Sequence, residues 1–402
     1  MNETNSVLKL LSVVGARPNF MKIAPLVRAV NRYNQTNGNT EVSRIDHTVV
    51  HTGQHYDNKM SDNFFRDLGI GQPEINLGIG SGSHAEQVGK TMIAFEKVVR
   101  KLQPDWVIVV GDVNATCACS VTAKKECIKL AHIEAGLRSG DMAMPEEINR
   151  LVTDRLADLL LTPDKISNQN LQAEGVAEEK IEFVGNIMID TLEHNRAKAE
   201  KLNFNQIVTD NLLPGQQLMP GLNSNSAYGL LTIHRPSNVD DPMVLKAIVT
   251  FLMEEASKKL PLIWAIHPRT RKNLENAGLF NDILNNERLL VVEPLGYLQM
   301  LRLNMQAAIM LTDSGGLQEE CCVLGTPCLT LRWNTERPVT LREHGGASVL
   351  VGNAIDNIRS EFFRTLAQKR TPQRPELWDG KTAERIVRCL VERRVEKETA
   401  VV

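Results

Sequence analysis

The sequence predicts an α/β protein made of two doubly wound Rossmann-like domains facing a central cleft. Three observations point there. Short apolar, β-branched runs alternate with helix-spaced segments through both halves of the chain, the pattern of a parallel sheet covered on both faces. Around residues 193–225 the rhythm breaks into a polar stretch with Pro214, Pro220 and the run GLNSNS, and then it restarts. The chain, at 402 residues, is too long for one ordinary core.

The elements follow in order. Lys9–Gly15 is a buried strand ending in the turn Ala16-Arg17-Pro18-Asn19. Asn19 is placed to cap a helix whose apolar face is Met21, Ile23, Leu26, Val27 and Val30. Thr48–Thr52 is a strand ending in Gly53-Gln54-His55. A turn rich in Gly and Ser, 78–83, precedes a helix from Ala85 to Lys101. The strand Trp106–Val110 ends in Gly111-Asp112, and a helix runs from about Ala115 to Cys127. Ala131–Ile133 is a strand ending in Glu134. The next helix, from Pro145 to Leu161, carries Ile148, Leu151, Val152, Leu156 and Leu159 as its apolar face. Leu159–Thr162 and Ile181–Val184 complete the first half.

After the break, Tyr228–Ile233 ends at His234-Arg235-Pro236. Asp240-Asp241-Pro242 is a helix start, with Asp as cap and Pro just inside. Strands at Leu262–Ile266, Leu289–Val292, Ala307–Leu311 and Pro327–Leu331 follow, and Ala383 to Lys397 is a charged amphipathic helix. The expected division is residues 1–192 and 193–373.

Composition narrows the function. The 42% hydrophobic and 23% charged content is that of a globular protein, and no apolar run is long enough to span a membrane. The N-terminus has no cleavage pattern. A formal charge of −2 argues against nucleic-acid binding. Seven cysteines without CxxC pairs read as reduced thiols of a cytoplasmic protein, and no Cys/His cluster has metal-ligand spacing.

The chemistry collects where strands end, the edge at which such sheets bind ligands. The first half offers Arg17, Gln54, His55, Asp112 and the run Glu134–Arg138 there; the second offers His234, Arg235, the run His267–Arg269, Glu293 and Ser314-Gly315-Gly316. Two glycines opening a helix leave its first N–H groups bare, so a phosphate can approach them without meeting a Cβ. Asp112 and Glu134 end neighbouring strands, and carboxylates crowded in a cleft can divide into an acid and a base. Glu146 and Glu147 lie in a first helical turn, where a carboxylate also offsets the helix dipole. Arg337 suits either a phosphate or its neighbour Glu336.

Nine segments, in order, resemble one family: GARPNFMKIAPL (15–26), HTGQHYD (51–57), VVGDVNATCA (109–118), HIEAGLRSGD (132–141), MPEEINR (144–150), VGNIMIDTL (184–192), TIHRPSN (232–238), TDSGGLQEE (312–320) and NTERP (334–338). Together they look like the non-hydrolysing UDP-N-acetylglucosamine 2-epimerases. The resemblance implies a GT-B-like pair of domains, with the C-terminal helix, 374–402, returning to the first. It implies reversible interconversion of UDP-GlcNAc and UDP-ManNAc by a cytoplasmic homodimer that needs no metal or cofactor and supplies polysaccharide synthesis. It implies catalytic roles for Asp112, Glu134, Glu146 and His234. Arg17, Lys22 and His234 match nucleotide-sugar positions; Ser314, Gly315 and Gly316 match phosphate contacts, Glu320 a ribose contact, and Leu295 a position against uracil.

Two features depart from the family pattern. Asn19-Phe20-Met21 stands where the best-known members have Glu-Ala-Ile. The stretch that forms a second, activating substrate site in some members has no clear match around Asn58–Phe65. Rival readings are a hydrolysing epimerase releasing ManNAc, an epimerase of a modified sugar such as a diacetamido-uronic acid, a GT-B glycosyltransferase, and a nucleotide-sugar sensor without catalysis.

Overall fold

The structure, a computed structural model, describes residues 6–36, 42–53 and 69–399. Gln54, His55 and the Asn58–Phe65 stretch lie outside the described residues. Two compact units divide the chain: Met1–Thr191 with Pro375–Val402, and Leu192–Arg374.

The first unit holds a parallel sheet of strands β1 (Ser6–Val14), β2 (Val42–His51), β3 (Ile75–Asn76), β4 (Trp106–Val110), β5 (Lys129–Ile133), β6 (Leu159–Thr162) and β7 (Ile181–Phe183), in the spatial order β3-β2-β1-β4-β5-β6-β7. Every residue of β4 is buried because both faces of the sheet are covered. Its side chains alternate. Trp106, Ile108 and Val110 join a core with Phe20, Ile23 and Leu26 of the helix Arg17–Thr36 and with Ile386, Val387 and Leu390 of the helix Thr382–Thr399. Val107 and Val109 point the other way, to Phe95 and Val99 of His84–Leu102 and Cys119 of Asn114–Lys125.

The second unit repeats the plan with β8 (Gly229–Thr232), β9 (Leu262–Ala265), β10 (Leu289–Val292), β11 (Ile309–Thr312), β12 (Cys328–Thr330) and β13 (Ser348–Leu350). Their order is β10-β9-β8-β11-β12-β13, all parallel. The chain reverses its direction of travel across the sheet between β8 and β11, the topological switch point where such sheets take ligands. Trp264 and Leu311 face a core with Ile248 and Phe362, while Ile263 and Met310 face one with Phe204, Tyr228 and Cys321.

Several expectations need correction. The helix from Pro145 ends at Leu156, and Leu159 already belongs to β6. Its buried residues are Glu147, Asn149, Arg150, Thr153 and Asp154, while Ile148 is 47% exposed. The apolar stripe is therefore not the inward face; a polar face is, because it has buried polar partners to meet. Asn19 does not cap the helix it was placed before; it lies inside its first turn and bonds back to the preceding loop. Residues 193–225 are not simply a surface linker. The helix Ile187–Glu200 runs through their start, and the helix Phe204–Asn211 buries Phe204, Ile207 and Val208. The strands β3 and β13 are two and three residues long, too short to leave a periodic signal.

Ser83 caps His84–Leu102 in a reciprocal box with Glu86, which explains the serines of that turn. Asp241 caps Pro242–Phe251 as its sequence suggests. All seven cysteines are free thiols.

Candidate active site

At the carboxyl edge of the first sheet, β4 turns through Gly111 at φ +69° into Asp112. A Cβ on Gly111 would lie 3.2 Å from Lys22 Nζ and 3.4 Å from Glu134 Oε2, so the glycine lets these groups close in on the strand end. Glu134 follows β5 directly and takes φ +72°, a left-handed conformation costing a residue with a Cβ about 1–3 kcal/mol. It is 3% exposed. Its Oε2 meets Lys22 Nζ at 2.5 Å, and its Oε1 is buried with no hydrogen-bond partner among the described residues. Glu134 thus combines a strained backbone with a buried carboxylate that is only half satisfied among the described residues.

Asn19 fixes the neighbourhood. Its Oδ1 accepts the N–H groups of Gly15 (3.2 Å) and Ala16 (2.9 Å), and its Nδ2 donates to the Val110 carbonyl (3.0 Å). A carboxylate could accept the same two bonds but could not donate the third. Asn at this position thus joins the ends of β1 and β4.

The polar face of Pro145–Leu156 supports the same edge. Asn149 Nδ2 donates to the Asp112 carbonyl at 2.8 Å. The Arg150 guanidinium pairs with the Asp112 carboxylate, and its Nε and Nη2 reach Glu147 Oε2 at 2.9 and 2.6 Å. Glu147 also accepts from the N–H groups of Ser139 and Gly140. Burial opposes ionisation of Glu147, but those bonds and Arg150 outweigh it and hold its carboxyl below the usual range. Of the two glutamates at this helix start, Glu147 is thus the structural one; Glu146 is exposed.

One turn on, Asp154 takes His132 Nδ1 at 2.6 Å, Arg138 Nη1 at 2.7 Å and the Gly136 N–H at 3.0 Å. His132 Nε2 lies 2.9 Å from the Gly111 carbonyl. Burial pushes the Asp154 carboxyl up; these partners outweigh it and lower it. Arg17 opens its helix next to the β1 turn, and Lys22 lies one turn further along, 8% exposed.

The second unit presents a different chemistry at the same edge. After β11, Ser314 precedes the helix Gly315–Leu324 without capping it by its side chain, and residues 314–317 are half-buried. The first N–H groups of that helix therefore have no capping side chain. A Cβ on Gly315 would lie 2.7 Å from Arg337 Nη1 and 3.1 Å from Glu336 Oε1. Arg337 pairs with Glu336 and with Glu319 (2.7 Å), and Arg332 reaches Glu336 at 2.7 Å. Of the two partners considered for Arg337, the structure shows Glu336 and adds Glu319.

Glu320 is buried within the same helix. Burial pushes its carboxyl up to about 7; the Tyr297 hydroxyl moderates the rise and the Glu319 charge adds to it. Leu295, after β10, is half-buried against the core that holds Tyr228. His234, after β8, places Nδ1 2.9 Å from Asp313 Oδ1, and its ring lies 5.2 Å from that of His267.

Sequence reasoning missed Arg150, Asn149, His132, Asp154 and Asp313 as parts of these edges. All but Asp154 stand inside the segments that carry the family resemblance, Asp313 beside the Gly-Gly turn itself, but none was given a role there.

Two doubly wound units, each gathering buried polar groups at the carboxyl edge of its sheet, define a two-Rossmann α/β protein. The chain belongs to the UDP-N-acetylglucosamine 2-epimerase family, whose model matches residues 39–391. It is 42% identical over 390 residues to a UDP-N-acetylglucosamine 2-epimerase of Methanocaldococcus jannaschii, covering 95% of this chain and 99% of that one. The crystal structure of the M. jannaschii enzyme in complex with UDP-GlcNAc and UDP matches with a TM-score of 0.83 at 41% identity, over 96% of this chain and 100% of that one. A UDP-2,3-diacetamido-2,3-dideoxy-D-glucuronate 2-epimerase of Pseudomonas aeruginosa is 38% identical over 377 residues, 93% of this chain and 96% of that protein.

Proposed function

We propose that this protein interconverts UDP-N-acetylglucosamine and UDP-N-acetylmannosamine by inverting C2. Family membership supports the reaction, and the observation that carries it to this chain is Glu134: strained, buried, held by Lys22 on one oxygen and without a partner on the other among the described residues.

The C2 hydrogen has no adjacent carbonyl to acidify it. It leaves as a proton only as the C1–O bond breaks and UDP departs with the electron pair, giving a 2-acetamidoglucal. UDP then re-adds at C1 while C2 is protonated from the opposite face. Hydrogen moves as a proton throughout, so the balance requires no oxidant. Asp112, Glu134 and Glu146 serve these proton transfers. The bare N–H groups at Gly315-Gly316 and the ring of His234 stabilise the diphosphate charge as it develops. Ser314 contributes to the same phosphate contacts, Glu320 takes the ribose hydroxyls, Leu295 lies against uracil, and Arg17 and Lys22 serve the nucleotide sugar. The protein works as a cytoplasmic homodimer, and its product feeds cell-surface polysaccharide synthesis.

The test is incubation with UDP-GlcNAc alone in D2O. UDP-ManNAc carrying deuterium at C2 is the expected product. Free ManNAc would replace this reading with hydrolysis, and retention of the original C2 hydrogen would count against proton exchange by elimination. The P. aeruginosa relative favours one second reading, a UDP-diacetamido-uronate substrate. No turnover of UDP-GlcNAc alongside turnover of that sugar would select it.

A further inference from the structure

Asp313 has no part in the roles assigned above, yet it is fully buried at the switch point of the second sheet. Every group around it is a donor. Oδ2 accepts the N–H of His234 (2.9 Å), the N–H of Arg235 (2.8 Å) and Nδ2 of Asn238 (3.0 Å). Oδ1 faces His234 Nδ1 at 2.9 Å. Its own carbonyl accepts Arg235 Nε at 3.0 Å. Asn238 spends its second proton on the Leu331 carbonyl at 2.9 Å, tying in β12 as well.

A carboxylate only accepts, so the His234 nitrogen facing it is an N–H. Nδ1 thereby keeps its proton, and Nε2 is left to meet substrate, where it donates to an anion only if it carries a proton as well. The His267 ring lies 5.2 Å from that of His234, its own Nδ1 accepting the Arg269 N–H at 3.1 Å.

We propose that Asp313 is the positioning residue of His234, keeping Nδ1 protonated so that the ring can present a second N–H, at Nε2, to the diphosphate. The inference rests on the epimerase reading only for what His234 contacts. Burial acts to raise the Asp313 carboxyl, but the His234 contact and the backbone and Asn238 donors prevail and lower it, as a permanent acceptor requires.

Asp313→Asn makes a sharp probe. If its amide oxygen takes the three donors at the Oδ2 position, its NH2 faces His234 Nδ1. The ring must then accept there, so it holds only the Nε2 proton and offers the diphosphate a neutral donor in place of a charged one, while the loops stay joined. The experiment is a double-mutant cycle of Asp313→Asn and His234→Ala, read in UDP affinity by calorimetry and in kcat for UDP-GlcNAc. In the wild-type background Asp313→Asn should weaken UDP or lower kcat by on the order of tenfold or more, the weight of one charge-assisted bond. In the His234→Ala background it should change either by less than about twofold. An equal loss in both backgrounds, or none in either, overturns the proposal, because a purely structural carboxylate acts whether or not the imidazole is present. If the wild type binds UDP but does not turn over UDP-GlcNAc, the epimerase reading fails, and the affinity cycle still decides the role of Asp313.

Discussion

Arg150 holds the Asp112 carboxylate with one edge of its guanidinium and Glu147 with the other. The arginine side chain is 2% exposed, so this is a buried fork and not a surface pair. Arg150→Gln should leave Asp112 without its guide and lower kcat by about 10²-fold, the usual result of misplacing a reacting group by an ångström. UDP affinity should stay within about threefold, since the groups proposed for the diphosphate, ribose and uracil belong to the other unit. Arg150→Lys should recover only part of the loss, because an ammonium cannot reproduce the fork. Steady-state kinetics beside a calorimetric UDP titration checks all three. Equal losses in kcat and UDP affinity would count against the assignment.

Glu134 predicts a larger effect. Glu134→Gln and Asp112→Asn should each reduce turnover by about 10²–10⁴-fold while UDP binding survives. Near-normal turnover in both variants would remove them from the chemistry. Lys22→Met should also destabilise the first unit, by about 3–5 kcal/mol, because it leaves the buried Glu134 carboxylate without its cation. Chemical denaturation measures that directly.

Glu320 gives a pH dependence with a definite sign. Its folded carboxyl titrates at about 7, above the ordinary 4.5. The stability it contributes is fully present below pH 4.5 and is lost as pH rises through about 7. Glu320→Gln should therefore melt higher than wild type at pH 8, by roughly 2–4 °C per kcal/mol gained, with the difference vanishing near pH 4. Two ribose hydroxyls need an ionised acceptor pair, so wild-type UDP affinity should fall below pH 7 more steeply than that of the variant. Parallel affinity profiles would show that Glu320 does not receive the ribose.

Gly315→Ala tests the nucleotide turn. The new Cβ would stand 2.7 Å from the Arg337 guanidinium and 3.1 Å from Glu336, groups locked in a buried pair. Something must shift, and UDP affinity should drop at least tenfold with Asp112 and Glu134 untouched. An unchanged UDP titration would show that the turn does not hold the diphosphate.

Much of the fold was legible because buried parallel strands write themselves as apolar runs: β4 sits where Trp106–Val110 predicts it, and β9 and β11 lie within a residue or two of the runs Leu262–Ile266 and Ala307–Leu311. The residues ending those strands were legible for the same reason. What could not be read was the polar scaffold behind them. Arg150 meets Asp112 across 38 positions, and Asp313 meets the His234 N–H across 79. Nothing local marks such pairs. The helix from Pro145 misled for a related cause. Its apolar spacing is genuine, but the face that is buried is the one with long-range hydrogen-bond partners to satisfy.

Trp378 closes the first unit from far along the chain. It is 1% exposed and donates from Nε1 to the Pro163 carbonyl at 2.9 Å. Nearby, Asp190 accepts the N–H groups of Thr382 (3.0 Å) and Ala383 (2.7 Å), capping the last helix from across the unit. Trp378→Ala should cost about 3–5 kcal/mol, and calorimetry should show the first unit melting earlier.

The same arrangement sets an order of manufacture. The second unit is one uninterrupted segment, Leu192–Arg374, whereas the core begun at Leu8 is finished by Ile386, Val387 and Leu390. On the ribosome the later unit can therefore complete its fold first, while the earlier one waits with an apolar groove open for its last helix. A chain that stalls or is clipped between the two would carry a finished later unit and a sticky, unfinished earlier one, the species most in need of a chaperone.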